Sequence, residues 1–175
     1  MFNLDGSEGK MAGNCIRCVG KFLYDNDMVK KERMSIETAS GIKHLKVLTR
    51  EGKVSSVTVQ MGKAILEPKK IPVNFDGDRM VDEKVLIGGK RYSVTCVSVG
   101  NPHCVTFVDN VDNIDIEKVG PKFENNKLFP ERVNTEFVRV VNANTIKMRV
   151  WERGNGETLA CGTGACAAVV AAVEN

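Results

Sequence analysis

The sequence lacks any run of about eighteen apolar residues, so no segment of it reads as a bilayer-crossing helix. No charged-then-apolar leader opens it, which predicts a chain that is not exported. It also lacks a surplus of one charge. Twenty-five Lys and Arg are interleaved with 22 Asp and Glu, leaving a formal net charge of +3. That balance argues against a dedicated nucleic-acid surface, while the small excess suits an anionic metabolite. Six cysteines without an export signal predict free thiols in a reducing, cytoplasmic compartment. What remains is 175 residues, 42% of them apolar, enough for one domain or two small ones.

Periodicity predicts an α+β (α/β) chain rich in strands. Residues 12–25 read as a helix with Ile16, Val19, Phe22 and Leu23 on one face. Residues 33–61 read as strands turning at Glu51-Gly52-Lys53, with Val57, Val59 and Met61 alternating with polar neighbours. Pro68, Pro72 and Asp76-Gly77-Asp78 mark a boundary stretch near 66–80, and the chain is divided into residues 1–62 and 63–175. Strands are expected at 91–99, 103–108, 133–141 and 145–151, with a short helix at 116–124 and a last helix from 161. Residues Ala165 to Val173 are small and apolar all round, which predicts a helix buried on every face and a chain truncated at its ends.

Two polar turns resemble each other. Asn3-Leu-Asp-Gly-Ser-Glu8 leads to Ala12-Gly13-Asn14, and Glu152-Arg-Gly-Asn-Gly-Glu157 leads to Cys161-Gly162-Thr163, with the same nine-residue spacing. An internal duplication would place two helix starts around one pocket. A helix start presents unpaired backbone N–H groups and the positive end of a dipole. Gly13-Asn14 and Gly162-Thr163 would let a carboxylate approach those amides. Cys161 at such a start is expected to be acidified and to sit beside the bound carboxylate. That suits a base removing the proton next to the carboxylate, with the amides stabilising the resulting charge. The alternative for Cys161 is a small buried core residue. Cys96, Cys104 and Cys166 are read as structural in this way.

Three motifs together resemble the diaminopimelate epimerase family. They are Asn3-x-Asp-Gly-Ser followed by Gly13-Asn14-x-x-Arg17-Cys18; Gly100-Asn101-Pro102-His103; and Trp151-Glu152-Arg153-Gly-x-Gly-Glu157-Thr158-x-Ala-Cys161-Gly162-Thr163-Gly164. The resemblance implies a pseudo-symmetric pair of domains, each wrapping strands around a central helix, both incomplete here. It implies interconversion of LL- and meso-diaminopimelate for lysine and peptidoglycan precursors, without metal or other cofactor. Cys161 would be one acid/base thiol, with His103 and Glu152 tuning its proton. Arg153, Asn101, Asn134 and Asn3 would hold the substrate's distal end. Gly162-Thr163 and Gly13-Asn14 would offer amides to the reacting carboxylate. On their own, His103 reads as a loop histidine, Asn134 as a strand cap, and Glu152 and Arg153 as a surface pair.

The chain departs from the family at one telling place. Ala12 stands where the family has its first thiol, and Cys15 stands where a small residue is usual. Cys15 could act as a displaced acid/base, about 4–5 Å further along the helix. Alternatively, Ala12 leaves a one-base site, or an inactive relative. Cys15 and Cys18 also form a Cys-x-x-Cys pair, the mark of a redox or zinc module, although no second pair accompanies it. A proline racemase-like or hydroxyproline epimerase-like activity would use the same two-thiol logic. The resemblance also implies an earlier segment of about sixty residues and closing strands. Their lack would expose a sheet edge, which allows a homodimer.

Overall fold

In the computed structural model the described residues are Gly6 and 12–175. They form two compact units that part between Gly62 and Lys63. The fold is mixed α+β, with two sheets and three α-helices among the described residues. No helix of the described residues is long and apolar enough to cross a membrane.

The first unit packs α1 (Gly13–Asp25) on an antiparallel sheet of β1 (Arg33–Thr38), β2 (Gly41–Arg50) and β3 (Lys53–Gln60), in that order. Its core is Ile16, Met34, Leu45, Val47 and Val54. The buried face of α1 differs from the expected one. Ile16 and Gly20 are buried and Leu23 packs against the core, whereas Val19 and Phe22 are 42% and 59% exposed. Gly20 is the reason: a Cβ there would lie 2.7 Å from the Leu45 side chain, so its bareness lets the helix settle on β2 along the line 16–20–23. The β2–β3 hairpin turns where expected, with Glu51 and Gly52 both at positive φ. Asp25 fastens the end of α1 to β3 by accepting from Val54 N at 2.8 Å and pairing with Lys21 at 2.6 Å. Those two donors hold its carboxyl below the ordinary aspartate range.

The second unit is a six-stranded sheet in sequence order: β4 (Glu83–Ile87), β5 (Lys90–Ser98), β6 (Pro102–Phe107), β7 (Asn134–Asn142), β8 (Thr145–Glu152) and β9 (Gly156–Thr158). All neighbours are antiparallel except β6 and β7. That parallel pair needs a crossover, and α2 (Ile116–Glu124) lies within it. The sheet is buried on both faces, and strand alternation assigns its residues to them. Cys96, Cys104, Phe137 and Trp151 cluster with Ile116 and Phe123 of α2. Val97, Val105 and Val138 cluster with Ala167, Ala168 and Ala171 of α3 (Gly162–Glu174).

One expectation fails here and two strands were not foreseen. The stretch near 66–80, read as a boundary, carries the core residues Ile71, Val73 and Met80 of the second unit. Strands β4 and β9 were not foreseen, because β4 is short and β9 is made from the polar turn itself. Finally, α3 is not buried on every face. Thr163, Gly164, Ala167, Ala168 and Ala171 face the sheet, while Ala165, Cys166, Val169, Ala172 and Val173 are exposed. A sheet covers one side of a helix only. Cys166 therefore falls on the open side rather than in a core, whereas Cys96 and Cys104 are fully buried, with the thiol of Cys104 pushed up by desolvation.

Candidate functional site

Cys161 is the N-cap of α3, entering the helix from extended backbone at φ −123°, ψ 112°. Its sulfur accepts from Gly164 N at 3.3 Å and lies 3.3 Å from Thr163 Oγ1. The residue is 8% exposed and borders a cavity of about 340 Å³ lined also by Arg149, Glu157, Thr158, Leu159 and Ala160. The amides of Gly162 and Thr163 belong to the first turn and have no intrahelical acceptor.

Alternation along the strands brings polar groups to the face that α3 covers. His103 shares the parity of Val105, Asn134 and Glu136 that of Val138, and Glu152 that of Val150. His103 and Asn134 are direct partners across the parallel β6–β7 ladder. His103 is fully buried, with Nδ1 2.8 Å from Glu136 Oε1 and Nε2 2.9 Å from Asn101 Oδ1. Asn101 Nδ2 donates to Thr163 Oγ1 at 3.1 Å, which closes a path from His103 to the thiol. Glu152 accepts from the Thr158 hydroxyl. Asn134 staples three segments together, donating to Pro102 O at 2.9 Å and accepting from Arg153 N at 2.9 Å. The Arg153 guanidinium donates to Glu131 O.

The structure thus gathers Asn101, His103, Asn134, Glu152, Arg153, Cys161, Gly162 and Thr163 within one unit. Gly13, Asn14 and Cys15 are in the other, at the first turn of α1. There Ala12 is the N-cap, at φ −137°, ψ 111°, with no side-chain cap. Arg17 folds back, donating to Gly13 O at 3.3 Å and to the Asn14 side chain. Cys15 and Cys18 are free and exposed. Among the described residues, no group of three His, Cys, Asp or Glu converges as metal ligands would. Asn3 lies outside the described residues.

One electrostatic expectation is overturned. The helix start was expected to acidify Cys161, yet its thiol is pushed from the ordinary value of 9.0 up to about 11. Burial is the largest cause, and the carboxylates of Glu136 and Glu152 add to it, while Thr163 and the Gly164 amide pull the other way. Removing a thiolate from water outweighs what a helix start returns.

Sequence reasoning missed two residues. Glu136 is fully buried beneath the helix start, where its Oε1 lies 2.5 Å from the position a Cβ on Gly164 would take. The signal was available: a glutamate at the inward parity of a strand whose next inward residue is Val138. Glu124 is the other. It accepts from Trp151 Nε1 at 2.6 Å, Gly154 N at 2.9 Å and Arg132 at 3.1 Å, and so fixes the turn that carries Glu152 and Arg153. Its position at the end of α2 gives no local hint of this.

The chain is similar to known proteins over most of its length. The family model described as diaminopimelate epimerase matches residues 1–67 and 95–175. A diaminopimelate epimerase of Acetivibrio thermocellus is 56% identical over 175 residues, covering 100% of this chain and 62% of that protein. One of Methanococcus maripaludis is 53% identical over 173 residues, covering 99% of this chain and 62% of its own length. The chain therefore spans a little over three fifths of these relatives. Among solved structures, a probable proline racemase from Agrobacterium radiobacter K84 superposes with TM-score 0.67 at 17% identity, covering 94% of this chain and 53% of that one. A hydroxyproline epimerase from Agrobacterium vitis gives 0.63 at 16%, covering 94% and 52%. At such identities the likeness is one of fold. The family match extends over most of the sequence and takes in every motif that builds the site, and the chain belongs to the diaminopimelate epimerase family.

Proposed function

We propose that the chain performs the acid/base chemistry of a cofactor-independent epimerase that interconverts LL- and meso-2,6-diaminopimelate, with Cys161 as the thiol that exchanges a proton with the α-carbon. The observation that carries the reading is the sulfur at the N-cap of α3, flanked by amides able to receive the reacting carboxylate. A thiol raised to about 11 is protonated at neutral pH, so on its own face Cys161 is poised to deliver a proton. When the sulfur instead takes the α-proton, the Thr163 hydroxyl and Gly164 amide are the donors at hand for a thiolate. Glu152 and His103 set the field around it. Asn101, Asn134 and Arg153 are assigned to the substrate's distal end, together with Asn3, and Gly13-Asn14 to the reacting carboxylate. The setting we assign is cytoplasmic, in lysine and cell-wall precursor synthesis, with a homodimer as the assembly to be checked by sedimentation.

A second reading is favoured by Ala12, whose side chain can neither take nor give a proton. In it the chain exchanges the α-proton with solvent through Cys161 on one face and inverts poorly, unless Cys15 stands in. Incubation with LL-diaminopimelate in deuterium oxide tests both. Label entering the α-carbon with little meso product is the one-thiol outcome. Label and product together favour Cys15 as the second group. Turnover of proline without any exchange on diaminopimelate would overturn the substrate assignment.

A further inference from the structure

The sheet of the first unit packs against α1 on one face and leaves the other open. Strand parity puts Arg33 and Ser35 of β1, His44 and Lys46 of β2, and Thr58 and Gln60 of β3 on that open face, and all six are exposed. The register sets them in two rows. Lys46, on the central strand, is opposite Arg33 on one side and Thr58 on the other; His44 is opposite Ser35 and Gln60. The rows are two residues apart, about 7 Å along the strands. Together they line a groove of about 550 Å³. Ser35 Oγ is 2.9 Å from His44 Nδ1. With the hydroxyl donating there, the ring keeps its proton on Nε2 as a further donor.

Two cations directly opposite each other repel, and opposite charges are what steady such a position. The second unit shows how this chain relieves a pair of that kind. Arg139 and Lys147 are opposite across β7 and β8, and Asp112 supplies the anion, pairing with Lys147 at 2.7 Å. Its carboxyl is held below the ordinary aspartate range by that bond first, with Arg149 and Arg139 adding to it. Arg33 and Lys46 have no such anion. Among the described residues neither enters an ion pair. No Asp or Glu lines the groove. The one acid in the three strands, Glu37, is opposite Ile42, one row beyond His44 and two beyond Lys46.

We propose that this groove binds a phosphate group, with Arg33 and Lys46 as its charge partners and His44 and Thr58 as additional donors. A carboxylate would neutralise one of the two cations. A phosphate dianion carries charge for both, and its oxygens suit the guanidinium fork. The volume lies within the range of small-ligand sites, which leaves room for an organic portion beside the phosphate. A nucleic-acid strand fits less well, because it needs cations spread along several phosphates and this face offers two in a single row. The site is separate from the reading of Cys161, which belongs to the other unit, and it carries no step of the reaction proposed there.

The chain has two histidines, one on this face and one beside the candidate active site, so each ring reports on one place. Inorganic phosphate, titrated at constant pH and ionic strength, should move the imidazole NMR signals of His44 to saturation and leave those of the buried His103 unmoved. Arg33→Gln and Lys46→Gln should each weaken binding about threefold, the weight of one exposed ion pair, and the two together about tenfold. Thr58→Glu supplies an anion from within, as Asp112 does in the second unit. It should abolish both the response and the rise in melting temperature that phosphate gives the native chain. All three positions are exposed, so these chains should fold. Glycerol phosphate separates the sources: a response to it as well assigns the groove to a phosphate ester, and a response to inorganic phosphate alone assigns it to the free ion. An unmoved His44, undiminished binding after both Gln substitutions, or an equal response to acetate would each overturn the proposal. So would movement of His103 alone, which would put the anion at the start of α3.

Discussion

At Ala12 and at Cys161 the backbone enters a helix from nearly the same conformation, φ/ψ −137°/111° and −123°/112°. In both cases a glycine follows, and the next residue has a polar side chain. What lies around the two starts differs. The start of α3 is pressed onto a sheet face bearing His103, Glu136 and Glu152, and its sulfur is 8% exposed. At the start of α1, Ala12, Gly13 and Asn14 are half-buried, Asn14 is engaged by Arg17 and Cys15 is exposed. A shared backbone motif thus supplies the donors, while burial and neighbouring carboxylates decide where the proton sits. The second start keeps the backbone geometry of the motif without a thiol at its cap.

The sharpest way to break this comparison is to remove the one capping sulfur. Cys161→Ser should lower deuterium incorporation into diaminopimelate by roughly 10²–10⁴-fold, the span of a lost acid/base group. If exchange survived at the native rate, the start of α3 would not hold the chemistry. Supplying the missing sulfur is the converse. Ala12→Cys should raise meso product relative to label uptake, because the second start would gain an acid/base group. If Cys15 already serves, Ala12→Cys changes little and Cys15→Ala removes inversion.

The third residue of each helix gives a structural contrast. Gly164→Ala should lower stability by about 1–3 kcal/mol and slow exchange, since its Cβ would fall 2.5 Å from Glu136 Oε1 and 3.2 Å from the Cys161 Cβ. The equivalent position in α1 already carries the Cys15 side chain, and Cys15→Gly should cost less than about 1 kcal/mol, the helix-propensity difference alone. Equal losses of melting temperature would deny that the two starts are differently packed.

These contrasts explain how much was legible. The motifs around Cys161 and the helix that follows them were readable because turn chemistry and helix starts are local. The parities that bring His103, Asn134 and Glu152 under α3 follow from strand alternation. Three things were not readable locally. The buried line 16–20–23 of α1 depends on a glycine yielding to Leu45 from another strand. The open side of α3 depends on how far the sheet extends. The rise of the Cys161 thiol depends first on its burial against the sheet and then on the charge of Glu136, which is 25 residues earlier in sequence. Helix-start electrostatics alone gave the wrong sign because burial is a tertiary quantity.

The smallest effects are those of pH on stability, and the two units should fail at opposite ends. The folded chain holds the Cys161 thiol at about 11 against 9.0 ordinarily. Between those values the unfolded chain has released a proton that the folded chain keeps. Unfolding is therefore favoured as pH rises from about 9 to about 11, and Cys161→Ser should reduce that loss, with the buried Cys104 thiol, also raised, supplying the remainder. Asp25 works the other way. Its carboxyl is held below 3.8 by Lys21 and the Val54 amide, so the contribution is present above that value and fades as pH falls through the lower, folded one. The group is exposed to solvent screening, so the effect is small. Asp25→Asn keeps an acceptor for Val54 N but loses the pairing with Lys21. Amide hydrogen exchange in α1 and β3 should then lose its acid dependence, while α3 and β7 exchange as before. Acid sensitivity that persisted unchanged in α1 would mean that another carboxylate, not Asp25, ties the helix to its sheet.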